Sequence, residues 1–117
     1  MIERIQCGPR MSQAVVYNKT VYLAGQVASK ARGGSVTDQT RDILGSIDAL
    51  LAKANTHKGN LLSATIWLTD MAHFAQMNAV WDAWVTPGST PARATVVSPK
   101  LASKEYDVEI AVIAAQI

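Results

Sequence analysis

The chain has 117 residues and a formal net charge of +2, with 49% hydrophobic and 17% charged residues. A chain of this size can form one hydrophobic core, so we predict a single domain over residues 1–117 that would gain stability from self-association. Its eleven basic residues are spread among acidic ones without forming a basic stripe, which argues against a nucleic-acid partner.

The N-terminal sequence and the cysteine content bear on location. The chain shows no basic segment followed by an apolar run at its N-terminus, and no apolar run is long enough to span a bilayer. We therefore expect a cytoplasmic protein without a membrane partner. Cys7 is the only cysteine, so it has no internal disulfide partner and no metal-ligand spacing, and we interpret it as a small buried thiol.

The N-terminal part of the chain has the composition of short strands. Residues 2–6, 11–17 and 20–27 are rich in β-branched and apolar side chains, which predicts three strands. The dipeptide Asn18-Lys19 predicts a tight hairpin between the second and the third. Gly33-Gly34 then marks a loop, and because no phosphate-binding glycine pattern surrounds it, we interpret the pair as a flexible connection.

Two amphipathic helices are predicted in the middle of the chain. Thr37 is the predicted N-cap of the first helix, and Asp70 is the predicted N-cap of a second helix over residues 71–85. A strand over residues 61–69 lies between them. The apolar residues recur at spacings of three and four, so we interpret them as packing residues rather than as cofactor ligands. They are Ile43, Ile47, Leu50, Leu51 and Ala54 in the first helix and Phe74, Met77, Val80, Trp81 and Trp84 in the second.

Two apolar runs in the C-terminal part each contain one charged residue. Residues 91–97 and 106–114 read as strands, the second of them central and buried, and they contain Arg93 and Glu109. An antiparallel hairpin centred on Leu101 would bring the two charges together as an ion pair. The same charges could instead face a cavity and bind an anion, and the residues alone leave both alternatives open.

This order of elements predicts an α+β fold. We expect one mostly antiparallel sheet with two helices on a single face. The other face of such a sheet needs a cover, and a second copy of the chain is the simplest one.

Several short motifs occur together and in order. Pro91-Ala92-Arg93 precedes a strand that runs Val-Glu-Ile-Ala-Val-Ile-Ala, and Gly8-Pro9 and Gly25-Gln26 stand near the N-terminus. In this arrangement the chain resembles the RidA/YjgF family of reactive enamine/imine deaminases, also called endoribonuclease L-PSP-like. The resemblance is collinear and covers nearly the full length.

The resemblance implies a chorismate-mutase-like fold, a homotrimer whose sheets pack into a central barrel, and active-site clefts between subunits. It implies hydrolysis of 2-aminoacrylate-type enamines and 2-imino acids to 2-keto acids and ammonia. Arg93 would bind the substrate carboxylate, the backbone at Thr95 would contact the imine nitrogen, and Glu109 would activate water. No metal or organic cofactor is expected, because an imine is already electrophilic.

Two positions differ from the pattern of the family. Where many members have a tyrosine shortly after Gly-Pro, this chain has Arg10-Met11, and where they have a serine before Gly-Gln it has Ala24. Met11 and Ala24 would give the substrate pocket a more apolar wall. One alternative is therefore a non-catalytic trimer of the same fold that binds 2-keto acids or other small carboxylates. A holdase or nucleic-acid-acting stress protein is another, for which the residues give no positive signal.

Overall fold

The computed structural model covers residues 1–117 and contains one mixed sheet and two α-helices. The strands lie in the order β1-β2-β3-β7-β5-β6, and the short β4 also pairs with β7. All pairs are antiparallel except β5 with β6. The elements are β1 (Glu3–Cys7), β2 (Ser12–Tyr17), β3 (Thr20–Leu23), β4 (Gln26–Val27), α1 (Val36–Lys53), β5 (Leu61–Leu68), α2 (Phe74–Trp84), β6 (Ala92–Val97) and β7 (Val108–Ala115).

The N-terminal hairpin is confirmed. Asn18 and Lys19 have φ angles of 50° and 59°, the left-handed pair that a two-residue turn between twisted strands requires. The predicted third strand is interrupted, however, because Ala24 and Gly25 separate β3 from β4. Both pieces pair with β7, so the interruption changes the path of the chain without moving it to another neighbour.

The N-cap of the first helix lies two residues before the predicted one. The Ser35 hydroxyl, not that of Thr37, accepts the N–H of Asp38 at 3.1 Å. Ser35 has the extended backbone of a capping residue, whereas Thr37 already lies inside the helix. The predicted apolar stripe is confirmed, since Ile43, Ile47 and its other members are buried against the sheet.

The second helix follows a short 3₁₀ turn, Met71–His73. Asp70 caps this turn, because its carboxylate accepts the N–H of Ala72 at 2.8 Å. Met77 and Trp81 are buried in the core, which confirms that they are packing residues.

The two faces of the sheet differ. Along β7, Val108 and each second residue after it are buried in the core below the helices, while Glu109 and the residues between them are only half-buried. The two helices therefore cover one face, as predicted, and leave the other uncovered by the chain itself. Tyr22 and Val96 are large apolar residues exposed there. No helix is both long and apolar enough to cross a membrane.

The predicted C-terminal hairpin is wrong. Strand β6 lies parallel to β5 at the edge of the sheet, and β5 separates it from β7. Residues 98–107 therefore form a crossover connection rather than a hairpin loop. The most continuously apolar strand, β7, takes the central position because there it can bury its side chains between neighbours on both sides.

A buried glutamine holds the end of this connection. Gln39, on α1, has no exposed surface. Its Oε1 accepts the N–H of Asp107 at 2.8 Å, and its Nε2 donates to the carbonyl oxygens of Gly34 at 2.9 Å and Glu105 at 3.1 Å. One amide thus fixes the chain immediately before β7 to the N-terminal end of α1.

We expect Gln39→Leu to lower the free energy of unfolding by about 2–4 kcal/mol. Leucine has a similar volume but leaves the N–H of Asp107 and the carbonyl of Gly34 without their partner, at about 1–3 kcal/mol for each group. Urea unfolding at a fixed chain concentration measures the change. Gln76→Leu on the exposed side of α2 is the matched control and should change the value by less than about 0.5 kcal/mol. Equal effects of the two substitutions would contradict this role of Gln39.

Candidate active site

Arg93 lies on the edge strand β6 and is held by the second helix. Its register partner on β5 is Ala64, a core residue, so the arginine stands on the helix-covered face. Its Nη1 donates to Oδ1 of Asn78 at 2.8 Å. The guanidinium carbon lies 5.4 Å from the ring centre of Trp81 and 5.9 Å from that of Phe74. Two cation–π contacts and one hydrogen bond therefore orient the guanidinium and leave donors free.

Thr95 lies on the same face of the sheet as Arg93 and adds a hydroxyl and backbone groups that are free of hydrogen bonds. Its hydroxyl oxygen is buried and has no hydrogen-bond partner. The N–H of Ser98 donates to the carbonyl of Leu68 at 2.8 Å, so even-numbered residues of β6 direct their backbone groups toward β5. Those of Arg93 and Thr95 consequently face the free edge of the sheet. A guanidinium with free donors, a hydroxyl without a hydrogen-bond partner and backbone groups without a neighbouring strand thus occur within three residues.

Glu109 lies on the uncovered face of β7. Its side chain is partly buried, and this desolvation raises the pKa of the carboxyl above its ordinary value. The carboxylate lies directly against the backbone of Gly25, where a Cβ atom would overlap its Oε2. Glycine at this position, in the break between β3 and β4, leaves room for the carboxylate where it stands.

Ala24 and Met11 lie at the same end of the sheet as Glu109. Ala24 directly precedes Gly25, and its N–H donates to the carbonyl of Gln13 on β2 at 2.9 Å. Met11 directly precedes β2, and 47% of its surface is exposed. Ala24 is therefore the chain neighbour of the glycine that contacts Glu109, and Met11 is exposed at the start of β2.

Arg93 and Glu109 do not meet within one chain. They lie on strands separated by β5 and on opposite faces of the sheet, and neither belongs to an ion pair. Of the two alternatives for these charges, the ion pair within a hairpin is therefore wrong. One chain places Arg93 at the edge of its sheet and Glu109 on the open face, and we call these two positions the arginine half-site and the glutamate half-site.

Two further residues differ from the sequence interpretation. Asn78 was not predicted as a site residue, although it lies four residues after Phe74 and three before Trp81 and therefore on the same face of the helix. An amide within an otherwise apolar helical stripe was the available signal. Cys7 is exposed, so its interpretation as a buried thiol is wrong. No three His, Cys, Asp or Glu side chains converge in a group that could hold a metal ion.

Comparisons with known proteins give a consistent picture. The model of the family described as Endoribonuclease L-PSP matches residues 1–116. A RutC family protein of Haemophilus influenzae is 44% identical over 113 residues, which cover 97% of both chains. The RutC family protein YoaB of Escherichia coli K12 is 40% identical over 114 residues, again 97% of both. The crystal structure of a YjgF family member from Neisseria meningitidis superposes with a TM-score of 0.95 at 41% identity, covering 100% of this chain and 96% of that one.

We expect Gly25→Ala to lower the free energy of unfolding by about 1 kcal/mol, at the lower end of overpacking costs, because the glutamate side chain can rotate away. In a Glu109→Ala background the same substitution should be close to neutral, and urea unfolding of the four proteins gives the coupling. Gly45→Ala is the control, since nothing lies within 4 Å of its Cβ. It should stabilise helix α1 by about 0.5–1 kcal/mol. Equal costs of Gly25→Ala in both backgrounds would contradict the contact.

Proposed function

We propose that this chain, which belongs to the endoribonuclease L-PSP family that includes the RutC and YjgF proteins, is an enamine/imine deaminase. Its substrates would be 2-aminoacrylate-type enamines and 2-imino acids, and its products 2-keto acids and ammonia. The observation that carries the proposal is the combination of an oriented Arg93, which has no carboxylate partner, with the free backbone groups of Thr95 on the open strand edge.

Arg93 suits the carboxylate that all these substrates share. A guanidinium offers two parallel donors to a carboxylate, which fixes orientation as well as charge. With Asn78 and the two aromatic rings holding it from one side, the remaining donors can receive the ligand. The imine carbon is bonded to the carboxylate carbon, so its nitrogen would lie within reach of the backbone of Thr95.

Glu109 suits the activation of water. Partial desolvation makes its carboxylate a stronger base than an exposed glutamate. The carboxylate would accept a proton from water while the water oxygen bonds to the imine carbon, which gives a carbinolamine. Transfer of protons to the nitrogen and cleavage of the C–N bond would then release ammonia and form the keto group. No electrons are exchanged with an outside reagent in this sequence.

Because Arg93 and Glu109 do not meet within one chain, a site that uses both needs a second copy of the chain. The uncovered sheet face exposes Tyr22 and Val96, and an apolar face of this kind is stabilised by burial. We propose a homotrimer in which this face is buried and Glu109 of one subunit stands across a cleft from Arg93 of the next. A closed cyclic arrangement would complete three equivalent sites with a single type of interface.

A second candidate function is supported by the apolar residues near Glu109. Met11 and Ala24 carry no hydrogen-bonding side chain, so they would contact a substrate only through apolar atoms. A trimer that binds 2-keto acids or other small carboxylates at Arg93 without turnover would fit these residues. Hydrolysis of an imine by the protein would support the deaminase, whereas carboxylate binding without hydrolysis would support the second candidate.

We expect Arg93→Ala to lower kcat/KM for 2-iminobutyrate at least about a hundredfold, because it removes the charge-assisted carboxylate contact. Arg93→Lys should retain charge but lose the two-donor geometry and give an intermediate rate. The imine is generated by a dehydratase, and trapping with semicarbazide reports the fraction that escapes hydrolysis.

The control for this assay is Arg41→Ala on α1. Arg41 is exposed and its one ion pair is with Asp38, at 3.8 Å, so its loss should leave the rate unchanged. Wild-type activity in Arg93→Ala would contradict the assigned role of the arginine. A folded, trimeric wild type without activity toward either 2-iminobutyrate or 2-iminopropionate would instead favour the binding function.

We expect kcat/KM to fall in acid as Glu109 becomes protonated, with a midpoint above the ordinary glutamate value of about 4.5 because burial raises the pKa. The pH profile is measured as the ratio of the enzymatic to the uncatalysed rate of hydrolysis, because protonation of the imine itself also changes the rate. Glu109→Gln should lower the rate about a hundred- to ten-thousandfold and remove this acid limb. An unchanged limb in Glu109→Gln would assign the titration to another group.

A further inference from the structure

One cavity lies beside the crossover connection and does not include Arg93 or Glu109. It measures about 500 Å³ and lies between residues 99–104 and the end of β5. This volume falls in the range of small-molecule sites. Its polar lining residues are Thr69, Lys100, Ser103, Lys104, Tyr106 and Asp107.

The negative side of this cavity is Asp107, which is fixed by neutral donors. The Thr69 hydroxyl donates to its Oδ1 at 3.1 Å, and Nε2 of Gln39 donates to its Oδ2 at 3.3 Å. The nearest basic group is Nε2 of His73, at 4.0 Å. About a third of the side chain, 35%, remains exposed. The carboxylate is therefore oriented without being neutralised by a lysine or arginine, and it keeps acceptor capacity.

The positive side consists of Lys100 and Lys104. Neither lysine belongs to an ion pair. Local turns shape the segment that carries them, because Oγ of Ser98 donates to the carbonyl of Lys100 at 2.9 Å and the N–H of Glu105 donates to Oγ of Ser103 at 3.2 Å. Two ammonium groups outside any ion pair thus border the same cavity as a carboxylate whose one ion-pair partner is His73, at 4.0 Å.

We infer that this cavity binds a small free α-amino acid. Its ammonium group would contact Asp107, and its carboxylate would contact Lys100 and Lys104. A simple carboxylate would face the charge of Asp107, which only His73 approaches, and a simple amine would face the two lysines. A ligand that carries both charged groups on one carbon can contact both sides at once. The inference concerns binding alone and does not depend on the proposed reaction.

Three ligands of similar size test this inference. L-Alanine carries both charges, propionate lacks the ammonium group and ethylamine lacks the carboxylate. Each is titrated into the ¹⁵N-labelled full chain, and the amide signals of Thr69, Ser103 and Asp107 report binding. We expect alanine to bind at least about tenfold more tightly than either of the other two. Propionate binding as tightly as alanine, or no saturable alanine binding at about 50 mM, would overturn the inference.

Variants distinguish this cavity from the arginine half-site. Asp107→Asn and the double variant Lys100→Ala, Lys104→Ala should each weaken alanine binding at least about tenfold, while Arg93→Ala should leave it unchanged. Lys100 and Lys104 are exposed, so the double variant tests the cavity even if Asp107→Asn fails to fold. Loss of alanine binding in Arg93→Ala, together with full binding in the lysine variant, would move the ligand to the arginine half-site and overturn the inference.

Discussion

The pairing of β7 with neighbours on both sides is the constraint on which the rest of the structure depends. Strands β3 and β4 adjoin one side and β5 adjoins the other, so β7 links the N-terminal hairpin to the parallel pair β5–β6. Its side chains alternate between the core below the helices and the open face. This alternation places Val108 in the core and Glu109 on the open face, and a shift of one residue in register would exchange them.

The polar contacts around Gln39 support this register. The amide ties the segment before β7 to α1, and the same segment is tied to residue 32 through the 3.0 Å ion pair of Arg32 with Glu105. Asp107 consequently has a defined position two residues before Glu109. The buried side chain of Gln39 therefore contributes both to the position of Glu109 and to the position of Asp107 in the cavity beside the crossover connection.

Local sequence patterns predicted most helices and strands. Most wrong predictions concerned contacts between residues distant in the sequence, which such patterns do not contain. Apolar spacing predicted both helices, and Asn18-Lys19 predicted the first hairpin. Strand order depends on distant pairing, however, so two consecutive strands looked like a hairpin although β5 lies between them. The cap of α1 was placed at Thr37 instead of Ser35 because serine and threonine are both capping residue types, and the two lie two positions apart. Arg93 and Glu109 were recognisable as charges within apolar strands, whereas the signal for Asn78, one amide within an apolar helical stripe, was weaker.

The central position of β7 also has a consequence for folding. Every strand that pairs with β7 precedes it in the sequence, so β3 and β5 expose unpaired edges on a nascent chain until residues 108–115 have left the ribosome. Until then the N-terminal hairpin and the β5 segment lack the strand that joins them. Pairing over such sequence distances is slow compared with helix formation. The apolar edges of β3 and β5 are therefore the segments most exposed to aggregation during synthesis, and a chaperone that shields them would act before β7 is made.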